Sequence, residues 1–242
     1  MISLLFHAVI YNPIYNALIF FIDLFPSHDA GIAVIIVTII VRVILFPLSK
    51  RAIQAQMAMK KVAPEIEAIK ARLKEKPAEQ SAAIFALYKE RNIRPFAGLL
   101  LMLIQLPILL GLYWAFTRAG LPVINGAILY SFVHVPDVVN MHFLGLIDMS
   151  KRNIVLAFLA MIMQFIYTRL SMGPRGEKTA AEASFSNDMA KSFDLQARYV
   201  LPLIVGVIGV TIAAAATLYW VTSSAFMICQ ELVTGRRFHG SK

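Results

Sequence analysis

An all-α, polytopic membrane protein is the fold class this sequence predicts, and three observations carry the prediction. The 242 residues are 59% hydrophobic and only 15% charged, whereas soluble domains are roughly 45–50% apolar. Four hydrophobic regions reach the scale of a bilayer-crossing helix, about 20 residues. The Lys and Arg residues gather in the segments between those regions, which is how a spanning chain records which of its loops stay inside.

The N-terminal segment, residues 1–26, is apolar but has no Lys or Arg, contains Asp23 and is interrupted by Pro13. It therefore lacks the basic start of a signal or transit peptide. His7, Tyr11, Asn12, Tyr15 and Asn16, scattered among its apolar residues, predict an amphipathic helix lying in the membrane interface, with a sixth span as the alternative.

Span one follows at 27–48, its apolar run extending from Gly31 to Leu48. Residues 49–94 hold eleven basic residues, among them Lys50, Arg51, Lys70 and Arg91, and should be cytoplasmic. Within them Ile53, Met57, Val62, Ile66, Ile69 and Leu73 recur at helical spacing, and Ile84, Leu87 and Tyr88 begin a second such stretch after Pro77. A helical hairpin is the reading, with Pro64 marking a kink or a new helix start in its first arm.

Span two occupies 95–116, an outer loop 117–152, and span three 153–170. A second cytoplasmic loop at 171–198 opens on Ser171-Met-Gly-Pro-Arg-Gly, a run of turn formers. Residues 199–234 are too long for one helix and read as spans four and five, turning near Thr211 to Ala216. A short basic tail, 235–242, ends the chain. This places the N-terminus outside and the C-terminus in the cytoplasm. Arg118, Lys151 and Arg152 fall on the outer side, where their stems can snorkel to headgroups.

The net charge of +9 finds its counterpart in anionic lipid headgroups and cytoplasmic partners, with no sequence-specific nucleic-acid binding expected. The single cysteine, Cys229, excludes an internal disulfide and reads as a small core residue. All five histidines lie outside the main spans, so neither a metal centre nor an intramembrane nucleophile and base is expected, and the chain is not read as an enzyme. A small channel or secondary transporter is the alternative in another class; it would call for repeats, broken helices or acidic ion ligands.

Arg42 is the residue that demands an explanation. It lies eleven residues after Gly31, roughly 16 Å into span one. An arginine at the centre of a spanning helix costs roughly 2.5–3.5 kcal/mol on insertion scales. The carboxylates fall outside the spans, and Glu231 stands at the extreme end of the last. Water and neutral side chains remain: Gln105 on span two, Gln164 and Tyr167 on span three, Tyr219 and Trp220 on span five. Together they predict a hydrated, polar-lined cavity open to the cytoplasm. The alternative is that Arg42 snorkels to the inner headgroups, since Leu48 is only about 9 Å further along.

Several ordered motifs resemble the YidC-type membrane protein insertase family, which includes mitochondrial and plastid relatives. Thr38-Ile-Ile-Val-Arg42-Val-Ile-Leu-Phe-Pro47 is similar to that family's first span with its groove arginine. It is followed by the charged hairpin ending in Leu87-Tyr88-Lys89, then by Pro95-Phe-Ala-Gly98 and Ile104-Gln105-Leu-Pro107, and by Leu218-Tyr219-Trp220 with Gln230. Leu101 and Ala213 to Ala216 depart from the expected prolines and glycine. The resemblance implies an energy-independent insertase of the bacterial plasma membrane with no cofactor, whose partners are nascent membrane proteins and the lipid bilayer. It also raises the ribosome, the signal recognition particle pathway and a Sec-type translocon. Met57 and Met59 of the hairpin are the candidate residues for recruiting substrate.

Overall fold

The computed structural model describes residues 5–94, 96–117, 121–172 and 195–234, which are overwhelmingly helical. The interior of the loop expected at 171–198, the basic tail and Arg118 lie outside the described residues. The chain divides into two compact units, one of residues 1–43 and 107–242, the other of residues 44–106.

In the first unit a turn of π-helix, His7–Tyr11, runs into α1, Asn12–Leu24. Pro13 explains the wider turn: it has no N–H to donate backward and its ring displaces the carbonyl one turn earlier. The same arrangement recurs at the far end of the chain, where the π-turn Gln196–Val200 precedes Pro202. One face of α1 is fully buried through Tyr15, Leu18, Ile19 and Ile22, while Leu5, Val9 and Leu24 are exposed. Its polar residues take a structural task, described below.

Helix α2 covers Ala30–Ile44 and stops where Pro47 obliges the chain to start afresh at α3, Phe46–Lys61. Three helices of the second unit follow in order: α3, α4 at Ala63–Arg72 and α5 at Pro77–Glu90. Pro64 and Pro77 both sit in first turns, where a missing N–H costs nothing. The unit has its own small core of Val62, Leu87 and Ile93, flanked by Ala58, Met59, Ile66, Ile69 and Tyr88. Arg91 adds a two-pronged ion pair to Glu65 across α4 and α5, at 2.9 and 3.1 Å.

Helix α6, Ala97–Thr117, contains Pro107; its later half contributes Ile108, Leu112, Ala115 and Phe116 to the buried part of the first unit. Helices α7 (Ile154–Met172), α8 (Leu201–Gly209) and α9 (Ala214–Val233) are the remaining α-helices among the described residues. Gly209 lets α7 and α8 close up, because a Cβ there would stand 3.0 Å from that of Ala157. Among the described residues α7 alone is both long and apolar enough to cross a bilayer by itself; α2 passes the same test only when taken with α3 as a broken pair.

The last hairpin turns at 210–213, and Ala214–Ala216 already form the first turn of α9. The sequence places those alanines in the turn, and the structure moves the turn ahead of them. Alanine is the best helix former, and the first amides of α9 find acceptors outside the helix: Ala214 N donates to Lys151 O (2.7 Å) and Ala215 N to Met149 O (3.1 Å).

Those acceptors belong to a folded cap, residues 121–152, within the segment read from the sequence as an outer loop. It carries a short 3₁₀ turn, Gly126–Ile128, and a two-stranded hairpin of β1, His142–Phe143, and β2, Ile147–Asp148, paired antiparallel. Asn16 of α1 holds the cap by donating to Ile128 O (2.9 Å) and accepting from Tyr130 N (2.6 Å). The hydroxyl of Tyr15 accepts from Asn125 N at 2.8 Å. Asp29 does most: its carboxylate accepts from Gly31 N (2.7 Å) and Ile32 N (3.2 Å), capping α2, and from Leu144 N (2.8 Å) in the hairpin. Gly31 has to be glycine, since a Cβ would lie 2.5 Å from the ring of Phe143.

Candidate functional site

The site grows out of a periodicity in three apolar helices of the first unit. On α9 the buried polar residues Thr217, Ser224 and Glu231 are seven apart, with Ser223 and Gln230 beside them; two turns of helix return a side chain to nearly the same direction. On α7 Gln164, Thr168 and Ser171 follow the spacing four and three, and on α2 Thr38 and Arg42 are four apart. Each helix therefore buries a polar stripe. Toward lipid, or any other apolar surroundings, α7 instead presents Ile154, Val155, Phe158 and Ile162, and α8 presents Leu203, Ile204 and Val207, all exposed.

Arg42 joins two of these stripes. It is 7% exposed, and its Nε–H donates to Ser223 Oγ at 2.8 Å while Nη2 donates to the same oxygen. The head thus turns inward to α9 and does not run along α2 toward its end. Ser224, the neighbouring residue, donates to Gln164 Oε1 at 3.3 Å, and Gln164 Nε2 reaches Thr168 Oγ1 at 3.3 Å. A polar seam therefore links α2 to α9 and α9 to α7. Tyr167 and Tyr219 lie within electrostatic reach of the guanidinium.

The guanidinium has five N–H donors. Ser223 takes two, which leaves three with no acceptor among the described residues. No nitrogen of Arg42 is among the fully buried side-chain atoms lacking a hydrogen bond, so the unengaged end reaches accessible surface. Among the described residues no carboxylate lies within ion-pair distance of it. Glu231 is fully buried, yet it stands eight residues beyond Ser223, about 12 Å further along α9. The arrangement is a fixed cation with neutral support and spare donors, fit to receive an acidic group or water.

The comparisons with known proteins agree with the motifs. Residues 21–241 match the family described as "60Kd inner membrane protein". The chain belongs to that family. It is 30% identical over 209 residues to the "Membrane protein insertase YidC" of Clostridium tetani, covering 86% of this chain and 83% of the relative. Against "Membrane protein insertase MisCB" of Bacillus subtilis the identity is 29%, over 98% of this chain and 82% of the relative. A YidC insertase of Burkholderia cenocepacia is 25% identical over 88% of this chain but only 33% of its own length. The whole polar seam of this 60Kd inner membrane protein family member falls within the matched residues.

The residues singled out from the sequence separate accordingly. Arg42, Gln164, Tyr167 and Tyr219 come together. Trp220, one residue on, faces elsewhere and packs with Met163 against Ala160, Val205 and Val221. Gln105 is half-buried in the second unit, as is Met57, while Met59 packs against that unit's core. Ser223, Ser224 and Thr168 do not stand out in the sequence, and Thr38 enters it only as the start of the Arg42 motif, because large polar residues draw the eye singly. The recurrence of polar residues at i, i+4, i+7 on α7 (Gln164, Thr168, Ser171) and at i, i+7 on α9 (Thr217, Ser224) is the signal that could find them.

Proposed function

We propose that this protein is a membrane protein insertase of the bacterial plasma membrane, working with five spans, N-terminus outside and C-terminus inside. It receives nascent membrane proteins in a hydrated groove around Arg42 and releases their apolar spans sideways into lipid. The names of its relatives support the activity. The single observation that carries the mechanism is the three unengaged donors of an arginine held 12 residues into α2, about 18 Å from its start.

A polar segment crossing pure hydrocarbon loses several kcal/mol for each group stripped of water. A wet, polar-lined passage reaching partway across shortens that journey, and the fixed charge draws acidic residues of the translocated tail into it. Helix α2 supports this geometry from another side: its 15 residues rise only about 22 Å, against a hydrocarbon thickness of about 30 Å, so the bilayer beside it is drawn thin. The charged hairpin of residues 49–94, with Met57 and Met59, recruits the substrate. The ribosome, the signal recognition particle pathway and a Sec-type translocon are its candidate partners, none of them recognised through a nucleic-acid sequence.

Site-specific crosslinking tests this. Photoreactive side chains at Gln164 and Tyr219 should capture a stalled nascent chain whose acidic tail has entered, while one at the lipid-facing Phe158 should capture the same chain only once its apolar span has emerged. Equal capture of the acidic tail at all three positions, or none at Gln164 and Tyr219, defeats the groove.

A further inference from the structure

The tip of the β1–β2 hairpin is an anomaly for a water-exposed turn. Its three loop residues are Leu144, Gly145 and Leu146, and the two leucines are 64% and 83% exposed. Leu144 has a φ of +51° and Gly145 one of +74°. Hairpin loops that need positive φ favour Asn, Asp and Gly, which tolerate it and are content in water. Here a leucine takes the strained position and is held in it, because its amide donates to Asp29 at 2.8 Å. Leu146 N and Gly145 N close the loop on Phe143 O and His142 O, both at 3.0 Å. The fold spends a buried carboxylate to display two apolar side chains.

Where the tip is fixed says what should cover it. The carboxylate that holds Leu144 also caps the first turn of α2, and Phe143 lies over Gly31 in that same turn. Six residues after β2, α7 begins, and its outward residues Ile154, Val155 and Phe158 are exposed from the first turn. The first amides of α9 bind carbonyls of the segment joining β2 to α7. The tip is thus tied to the starting ends of three helices, where the apolar outer surface of the unit begins. In the segment between β2 and α7 stand two exposed cations, Lys151, paired with Asp148 at 3.0 Å, and Arg152, which in that position can meet anionic headgroups.

We propose that the hairpin tip is a membrane anchor: Leu144 and Leu146 insert among the acyl-chain ends nearest the headgroups of the leaflet where α2, α7 and α9 begin, with Arg152 against lipid phosphate. The anchor fixes the level of the cap, and through Asp29 the level of α2 and its arginine, relative to the bilayer surface. It rests on the reading of these three helices as spans, stated above, and adds a contact that the spans themselves do not require.

Depth-resolved quenching tests it on the full chain. In a Cys229→Ser background, Leu146→Cys carries an environment-sensitive fluorophore; at 83% exposure the substitution leaves the fold intact. Glu75→Cys in the charged hairpin is the aqueous reference and Phe158→Cys the reference for a spanning helix. The proteins are reconstituted into phosphatidylethanolamine and phosphatidylglycerol vesicles, with iodide on both faces or with lipids spin-labelled near the headgroup or at mid-chain. The label at 146 should be quenched by the shallow spin label and shielded from iodide several-fold relative to that at 75. Iodide quenching equal to that at 75 overturns the anchor, and so does shielding from both quenchers, which would mean that protein covers the tip. A label at 158 quenched by mid-chain lipid shows that the spanning reading stands whichever result is found at 146; failure at 158 overturns the spans instead.

Discussion

The cap and the seam bury polar groups in opposite ways. In the cap, Asn16, Asp29 and Tyr15 are each matched to backbone amides and carbonyls, so that every acceptor named has a donor at 2.6–3.2 Å. In the seam, one arginine is served by one serine and keeps donors to spare. A saturated polar network gains nothing from a visitor and fixes geometry. A charged group with unused donors is costly until something arrives, and it is the region of the two that can act on another molecule. Stability should therefore reside in the cap and selectivity in the seam.

The largest expected effect separates them from the cap's side. Asp29→Ala deprives three amides of their acceptor and should destabilise the protein by about 3 kcal/mol, on the order of 10 °C in Tm, read by thermal unfolding in detergent. Asp29→Asn keeps one acceptor and should lose roughly half as much. The surviving folded fraction, even with α2 less firmly held, should still prefer an acidic-tailed substrate to a neutral one; loss of that preference would erase the distinction between the two regions.

From the seam's side the expectation reverses. Arg42→Glu should leave Tm within a few degrees of the parent yet lower insertion of an acidic-tailed single-span substrate by about tenfold or more, since reversing one charge at contact distance changes the interaction by a kcal/mol or several. A neutral-tailed substrate should scarcely notice. Arg42→Lys, which retains charge but not the planar fork, should fall only a few-fold, and Ser223→Ala, which frees the head without discharging it, should fall less again. Parental rates for Arg42→Glu on the acidic substrate would remove the electrostatic role.

How much of this could be read beforehand follows the same division. Helical membrane architecture, the arginine and the hairpin are written in hydrophobic runs and charge placement, which are local properties of the chain. Pro64 and Pro77 mark helix boundaries for the same reason, whereas the break after Ile44 falls inside a run that reads as one span to Leu48. The seam was half legible: Arg42 and Gln164 stand out because they are expensive in lipid, whereas Ser223 and Ser224 cost little and become meaningful only when α2, α7 and α9 are side by side. The cap was illegible. Asn16 and Tyr15 looked like interfacial residues of α1, but their partners lie more than a hundred positions away, and no local pattern announces a carboxylate at 29 waiting for an amide at 144. Trp220 shows the converse, a large residue one position from a seam residue and rotated by about 100° onto a packing face.

The smallest effect probes whether the cap's ionic detail matters at all. Asp148 accepts from the hydroxyl of Ser150 at 2.6 Å, from the amide of Ser150 at 3.0 Å, and pairs with Lys151 at 3.0 Å. Chiefly through the Ser150 hydroxyl, and against the burial that works the other way, its carboxyl is lowered from 3.8 to about 2. The folded state thus prefers the carboxylate more than the unfolded chain does. That preference contributes fully above pH 3.8 and is lost as pH falls from there toward 2. Asp148→Asn cannot ionise, so the Tm difference between parent and variant should be no more than ~3 °C near neutrality and shrink across that acid window. A difference that stays constant through the window would mean that Asp148 contributes as a hydrogen-bonding shape alone. The cap would then owe its stability to buried neutral and Asp29 contacts, which sharpens the contrast with a seam whose proposed function depends on charge.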